Sequence, residues 1–209
     1  MKKSSNVVTQ FILDSIMKGE VPSGGKIPST ENLAKINHTS IISAREAVQN
    51  LASIGILEIN HGRGIFLTNG QPIIEDLLVA RMIIESKVVE MATAKLGPAD
   101  IKEVENLIQS MENSVNNNDV ESFTDYDYEF HILISKFAGN RILSKTLENI
   151  KDLLHYQQSV INRFNPSIIQ KSLGRHREIF GAMKLGKSDK ASSIMVKHIR
   201  EVLDSWKSM

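Results

Sequence analysis

Asp127 and His131 stand four residues apart in DYEFH, inside the longer run DYDYEFHILISKFAGN. On a helix that spacing stacks them on one face. The stretch that offers Phe130, Leu133, Ile134 and Phe137 to a core therefore also presents an acid and an imidazole together. Two further histidines flank the break LGKSD: His176 lies ten residues before Gly186, and His198 ten residues after Ser188. If the break is a turn between antiparallel helices, Gly186 falls near one C-cap and Ser188 near the next N-cap. At about 1.5 Å per residue each imidazole is then about 15 Å from the turn, and the two come level. One carboxylate and three imidazoles make a four-ligand set suited to a borderline divalent ion such as zinc, nickel or manganese. A surface ion pair and hydrogen-bonded core histidines fit the same spacings, and spacing alone does not choose between the readings.

The elements that must position these residues can be read from periodicity. Val8, Ile12, Leu13 and Ile16 recur at helical spacing, and Gly19 with the loop EVPSGGKIP ends that helix. Ser29 can cap a short second helix, TENLAKI, with Leu33 and Ile36 on its apolar side. After Asn37-His38, Thr39 or Ser40 can cap a third helix whose buried stripe is Ala44, Ala47, Val48 and Leu51. Two helices joined so tightly suggest a helix-turn-helix. The segment ILEINHGRGIFLT alternates apolar and polar residues on either side of HGRG, the pattern of a two-stranded hairpin. Three helices and a hairpin make a winged helix-turn-helix. The polar segment TNGQP at 68–72 is the expected boundary, giving a DNA-binding domain over 1–69 and an all-α antiparallel helical bundle over 70–209. Breaks at Gly97-Pro98, Asn116 to Asp119, Gly139-Asn140, Asn165-Pro166 and Gly186 to Ser188 divide the second part into about six helices.

Composition bounds the possibilities. With 209 residues, 41% of them apolar, the chain can bury a sizeable core. It has no cysteine, so disulfides, thiolate metal sites and cysteine nucleophiles are excluded, which fits a cytoplasmic protein. Gln10 and Asp14 interrupt the apolar start, so no signal peptide is expected. No run of about 18 apolar residues offers a membrane span. Residues 1–69 hold seven Lys/Arg against five Asp/Glu, and the remainder 18 against 19, so the N-terminal part is only mildly basic.

The run from VVTQFILDSIMKGE through INHGRGIFL resembles the winged helix of GntR-type bacterial transcription regulators, and the remainder resembles the FCD ligand-sensing domain of their FadR subfamily. The most specific part is DYEFH followed by AGN, then His176 and His198 22 positions apart. The resemblance implies that Asp127, His131, His176 and His198 are metal ligands, with zinc the first expectation and nickel or manganese the alternatives. Neutral imidazoles are required, so metal affinity should fall as pH drops through about 6.5. Four ligands leave positions open, where the resemblance implies a small organic acid. Arg81 matches an arginine of the family's first sensing helix and could hold such an acid, though a plain pair with Glu85 one turn on fits equally. Asn140 matches the AGN turn and is expected to cap a helix; His155 is expected to pack or to wall a pocket.

In a winged helix the third helix enters the major groove. Ser40, Ile41, Ser43 and Arg45 are the expected contacts there, Arg45 matching the family's REA motif, with the wing tip His61, Gly62 and Arg63. Two positions depart from the family pattern. Glu31 and Ile41 stand where arginines are common, so an unusual operator or weaker binding is expected. Ile41 could meet a thymine methyl, and Glu31 could accept from a cytosine amino group. With few basic residues, affinity should depend on a homodimer at a two-fold site. The chain is thus expected to be a metal-containing, acid-responsive transcription regulator, a repressor, acting on double-stranded DNA. One alternative is a metal-binding sensor or interaction protein with a decayed DNA head, which the retained glycines of HGRG oppose. The other is a metal-dependent hydrolase; Glu129 points to another side of its helix from Asp127 and His131, leaving no well-placed base, so no enzyme is expected.

Overall fold

The computed structural model describes residues 4–68 and 71–208. Asn69 and Gly70, within the expected boundary segment, lie outside the described residues. The chain divides into two compact units, Met1–Ile74 and Glu75–Met209.

The first unit contains α1 (Ser4–Met17), β1 (Lys26–Ile27), α2 (Thr30–Ile36), α3 (Ile41–Ser53), β2 (Leu57–Asn60) and β3 (Gly64–Leu67). α1 packs on α3, and Val8, Ile12 and Leu13 of the one and Ala44, Ala47, Val48 and Leu51 of the other are buried in this unit's core. Ser29 caps α2, and Ser40 rather than Thr39 caps α3, its Oγ accepting from Ser43 N at 3.0 Å. The wing differs from the expected hairpin by one strand. β1 joins the antiparallel sheet in the order β1-β3-β2, pairing Lys26 with Phe66 and Ile27 with Ile65. Two residues are too few for an alternating pattern, so the segment reads as loop. In β2 and β3 the register sets Leu57 opposite Leu67 and Asn60 opposite Gly64.

Among the described residues the rest of the chain forms seven helices, one more than the breaks suggest: α4 (Gln71–Thr93), α5 (Pro98–Asn116), α6 (Val120–Phe137), α7 (Arg141–Asn149), α8 (Lys151–Phe164), α9 (Ser167–Lys184) and α10 (Ser188–Lys207). The additional break is Ile150, which ends α7 and precedes α8 without glycine or proline. In the second unit α5 packs on α6 and α9, α6 on α8, and α9 on α10. The α9–α10 connection is the expected antiparallel turn, with Gly186 at φ +66° and the caps at Leu185 and Lys187. No helix of the described residues is long and apolar enough to cross a membrane.

Candidate metal centre and nucleic-acid interface

Helical periodicity carries the acid of α6 to the same interior face as His131, and the α9–α10 hairpin brings His176 and His198 level with them. One ligand atom from each of Asp127, His131, His176 and His198 falls within 4.8 Å of the others. Two donors on opposite sides of an ion are about 4.2 Å apart when each bond is about 2.1 Å, so the cluster is near the size a metal needs. All four residues are at most 5% exposed. The His131 and His198 rings lie parallel within 12°, and the His176 and His198 ring centres are 4.7 Å apart. Phe130 closes one side, 4.3 Å from the His176 ring.

The polar atoms of this cluster are poorly satisfied by protein. Asp127 Oδ1, His131 Nε2 and both His176 nitrogens are buried without a hydrogen-bond partner among the described residues. Buried atoms of this kind are satisfied by an ion or by water. Burial holds His176 and His198 well below the ordinary imidazole range, so they are neutral, the form a metal requires. Burial also pushes the Asp127 carboxyl up, partly opposed by His131 and Arg81. The residues present fit a divalent transition metal.

Around the cluster runs a chain of contacts from three helices. Glu85 Oε2 lies 2.5 Å from His131 Nδ1, both side chains being buried. Arg81 Nε donates to Glu85 Oε1 at 2.6 Å, and its Nη1 to Gln157 Oε1 at 2.9 Å. Although burial pushes Glu85 up, Arg81 and His131 hold it well below the usual carboxylate range. Arg81 is 2% exposed, so it is paired with Glu85 and placed beside the cluster at once. Gln158 Nε2 donates to Asp127 Oδ2, and Asn162 to Thr124. Sequence reasoning gave Glu85 only a pairing role and missed Gln157 and Gln158, because an inward-facing amide has the same residue type as a surface one. Asn140 caps α7, accepting from Ile142 N and Leu143 N. His155 stands apart from the cluster and pairs with Asp125 at 2.8 Å.

In the first unit, Arg45 of α3 and His61, Gly62 and Arg63 of the wing line one concavity of about 530 Å³, together with Lys26 and Ser29. Lys26, a basic residue of β1, was missed with its strand. Gly62 at φ +73° makes the wing turn that presents His61 and Arg63 to solvent. Arg45 makes no ion pair among the described residues, although its charge helps hold Glu31 low, after the Glu31 backbone N–H and Ser29. Ser40 and Ser43 bond each other, Oγ to Oγ, at 3.0 Å. Ile41 and Ile42 project at the start of α3, 46% and 78% exposed.

The model of the FCD domain matches residues 76–201, and that of bacterial regulatory proteins of the gntR family matches residues 4–67. Among curated relatives, the HTH-type transcriptional regulator LutR of Bacillus subtilis (strain 168) is 24% identical over 90% of this chain and 94% of its own. The HTH-type transcriptional repressor NanR of Klebsiella aerogenes is 23% identical over 100% of this chain and 87% of its own. Among solved structures, E. coli McbR/YncC superposes with a TM-score of 0.78 at 18% identity, covering 100% of this chain and 99% of that one, a likeness of fold.

Proposed function

The chain belongs to the gntR family of bacterial regulatory proteins and carries an FCD domain, and from that premise we propose that this DNA-binding transcription regulator is a metal-containing repressor released or engaged by a small carboxylate-bearing effector. The observation that carries the reading is the buried convergence of Asp127, His131, His176 and His198, with its unpartnered donor atoms. These four residues would hold the ion, zinc first and nickel or manganese otherwise. When bound, the ion supplies a Lewis-acid anchor for a carboxylate. Arg81 would add a fixed positive charge beside it, and Glu85 would orient His131 through Nδ1, leaving Nε2 for the metal. His155 has no part in the site.

Residues 1–69 form the DNA-reading domain in this proposal, and 70–209 the effector domain. Ser40, Ile41, Ser43 and Arg45 enter the major groove, while His61, Gly62 and Arg63 of the wing, with Lys26, follow the phosphates. The named function of NanR supports repression. A homodimer acting in the cytoplasm on a two-fold operator completes the reading, because one head offers few phosphate contacts.

Selection of fragments of the organism's own genome on the metal-loaded chain at low salt tests the DNA arm. Enrichment of a short two-fold site supports it, and no enrichment with metal bound defeats it. Metal uptake by chelator-stripped protein tests the other arm, which fails if no divalent ion binds at neutral pH. Regulation further requires the effector to bind the DNA-bound and free protein with different affinities. Equal affinities would leave the metal centre without a regulatory role.

A further inference from the structure

Strand β1 is only two residues long, yet its register places a lysine. Lys26 pairs with Phe66 of β3, so its diagonal neighbour, two residues back along β3 on the same face, is Gly64. That neighbour has no side chain, and the lysine stem takes the space. A Cβ built on Gly64 would lie 2.7 Å from Lys26 Cε and 3.3 Å from Nζ, so the tail passes where any other residue would put its first side-chain carbon. Gly64 also has φ +123°, a backbone conformation that residues with side chains rarely adopt. The ammonium at the end of this stem is uncommitted. Glu58, the acid of the sheet, stands opposite Phe66 on β2, yet Lys26 makes no ion pair or side-chain hydrogen bond among the described residues. Lys26 lines the same concavity as Arg45, His61 and Arg63, and no Asp or Glu contributes to it. Cations gathered without an acid among them attract phosphate.

Resting on the reading that residues 1–69 contact DNA, we propose that β1 is a third DNA-contacting arm beside α3 and the wing. Lys26 pairs with a backbone phosphate, and Gly64 is the positioning residue that lets the lysine stem lie across β3. An ammonium is a compact charge with three donors, so the contact fixes the head on the duplex and carries no sequence information. Gly64 then serves twice: its backbone makes the strand entry after the wing turn, and its missing side chain leaves the path of Lys26 open.

The test is binding of the full chain to a random-sequence DNA duplex over a range of salt, because the slope of log affinity on log salt counts neutralised phosphates at about 0.9 each. Lys26→Met keeps most of the stem and removes the charge, and should make the slope shallower by about 0.9 for each protomer engaged. Gly64→Ala should do the same, because its methyl displaces the tail, and adding it to Lys26→Met should change the slope no further. A glycine needed only for its backbone would lower the melting temperature of the alanine variant and leave the slope as it was, which overturns the proposal. An unchanged slope in Lys26→Met overturns it as well. Nuclear Overhauser contacts between the Lys26 ε protons and the Gly64 α protons of the unaltered chain give a reading that holds even if the alanine variant does not fold. Their absence overturns the path of the stem. If the unaltered chain has no affinity for the duplex at low salt, the DNA reading itself fails, and this inference with it.

Discussion

Glu85 links the cation of Arg81 to the imidazole of His131, and its charge is the part of the site most open to test. Glu85→Gln keeps the shape and removes the charge behind His131. Metal affinity, measured by competition with a chromophoric chelator, should drop about 10–100-fold; an unchanged affinity would mean the carboxylate serves Arg81 alone. The buried imidazoles set a pH response in the metal-stripped protein. Burial holds His176 and His198 well below their ordinary value, so the unfolded chain takes up protons near pH 6.5 that the folded chain refuses. Stability therefore rises with pH through this window and declines as pH falls below about 6.5. Asp127 acts in the opposite sense at lower pH: raised by burial, it contributes stability in acid that is lost as pH rises through its folded value. Denaturant midpoints should fall between pH 7.5 and pH 6, and a flat profile would falsify the neutral assignment of the two histidines. On the DNA side, Ile42 is the most exposed of the large apolar side chains among the described residues. The apolar group a major groove offers is the thymine methyl. Replacing thymines by uracils across a selected half-site should weaken binding by about fourfold for each contacted methyl, and Ile42→Ala should lose part of that sensitivity.

At the scale of the element, caps decide where the helices start. Asn140→Ala removes the acceptor for two orphan amides of α7 and should lower stability by about 1 kcal/mol without changing metal content; loss of metal as well would tie α7 to the cluster. Much of this level was legible in the sequence. Ser29, Ser40 and Asn140 stand where side-chain caps are needed, and the four-residue step from Asp127 to His131 survives because a helix repeats near that period. The symmetric ten-residue offsets of His176 and His198 became neighbours because α9 and α10 are antiparallel. Other features left no mark. Ile150 separates α7 from α8 without a breaker, and β1 is too short to show alternation. Glu85, Gln157 and Gln158 face inward at positions where periodicity alone would allow a solvated face, and only the contacts of α4, α6 and α8 reveal them.

At the scale of the whole molecule, the two units divide the proposed work between a mildly basic head and an enclosed polar centre. The head offers Lys26, Arg45 and Arg63 around one concavity, so its affinity for DNA should carry a modest salt dependence per protomer. The centre has a consequence in time. Its four residues are almost wholly shut from water, so an ion held there leaves only when the helices part, and a chelator outside must wait for that opening. Metal loss from the loaded protein should therefore proceed at a rate that does not increase with chelator concentration once chelator is in excess. A rate that climbs in proportion to chelator would mean direct attack on an accessible ion. An ion retained in this way has a residence time set by the fold, and brief swings in its free concentration pass without changing the regulator.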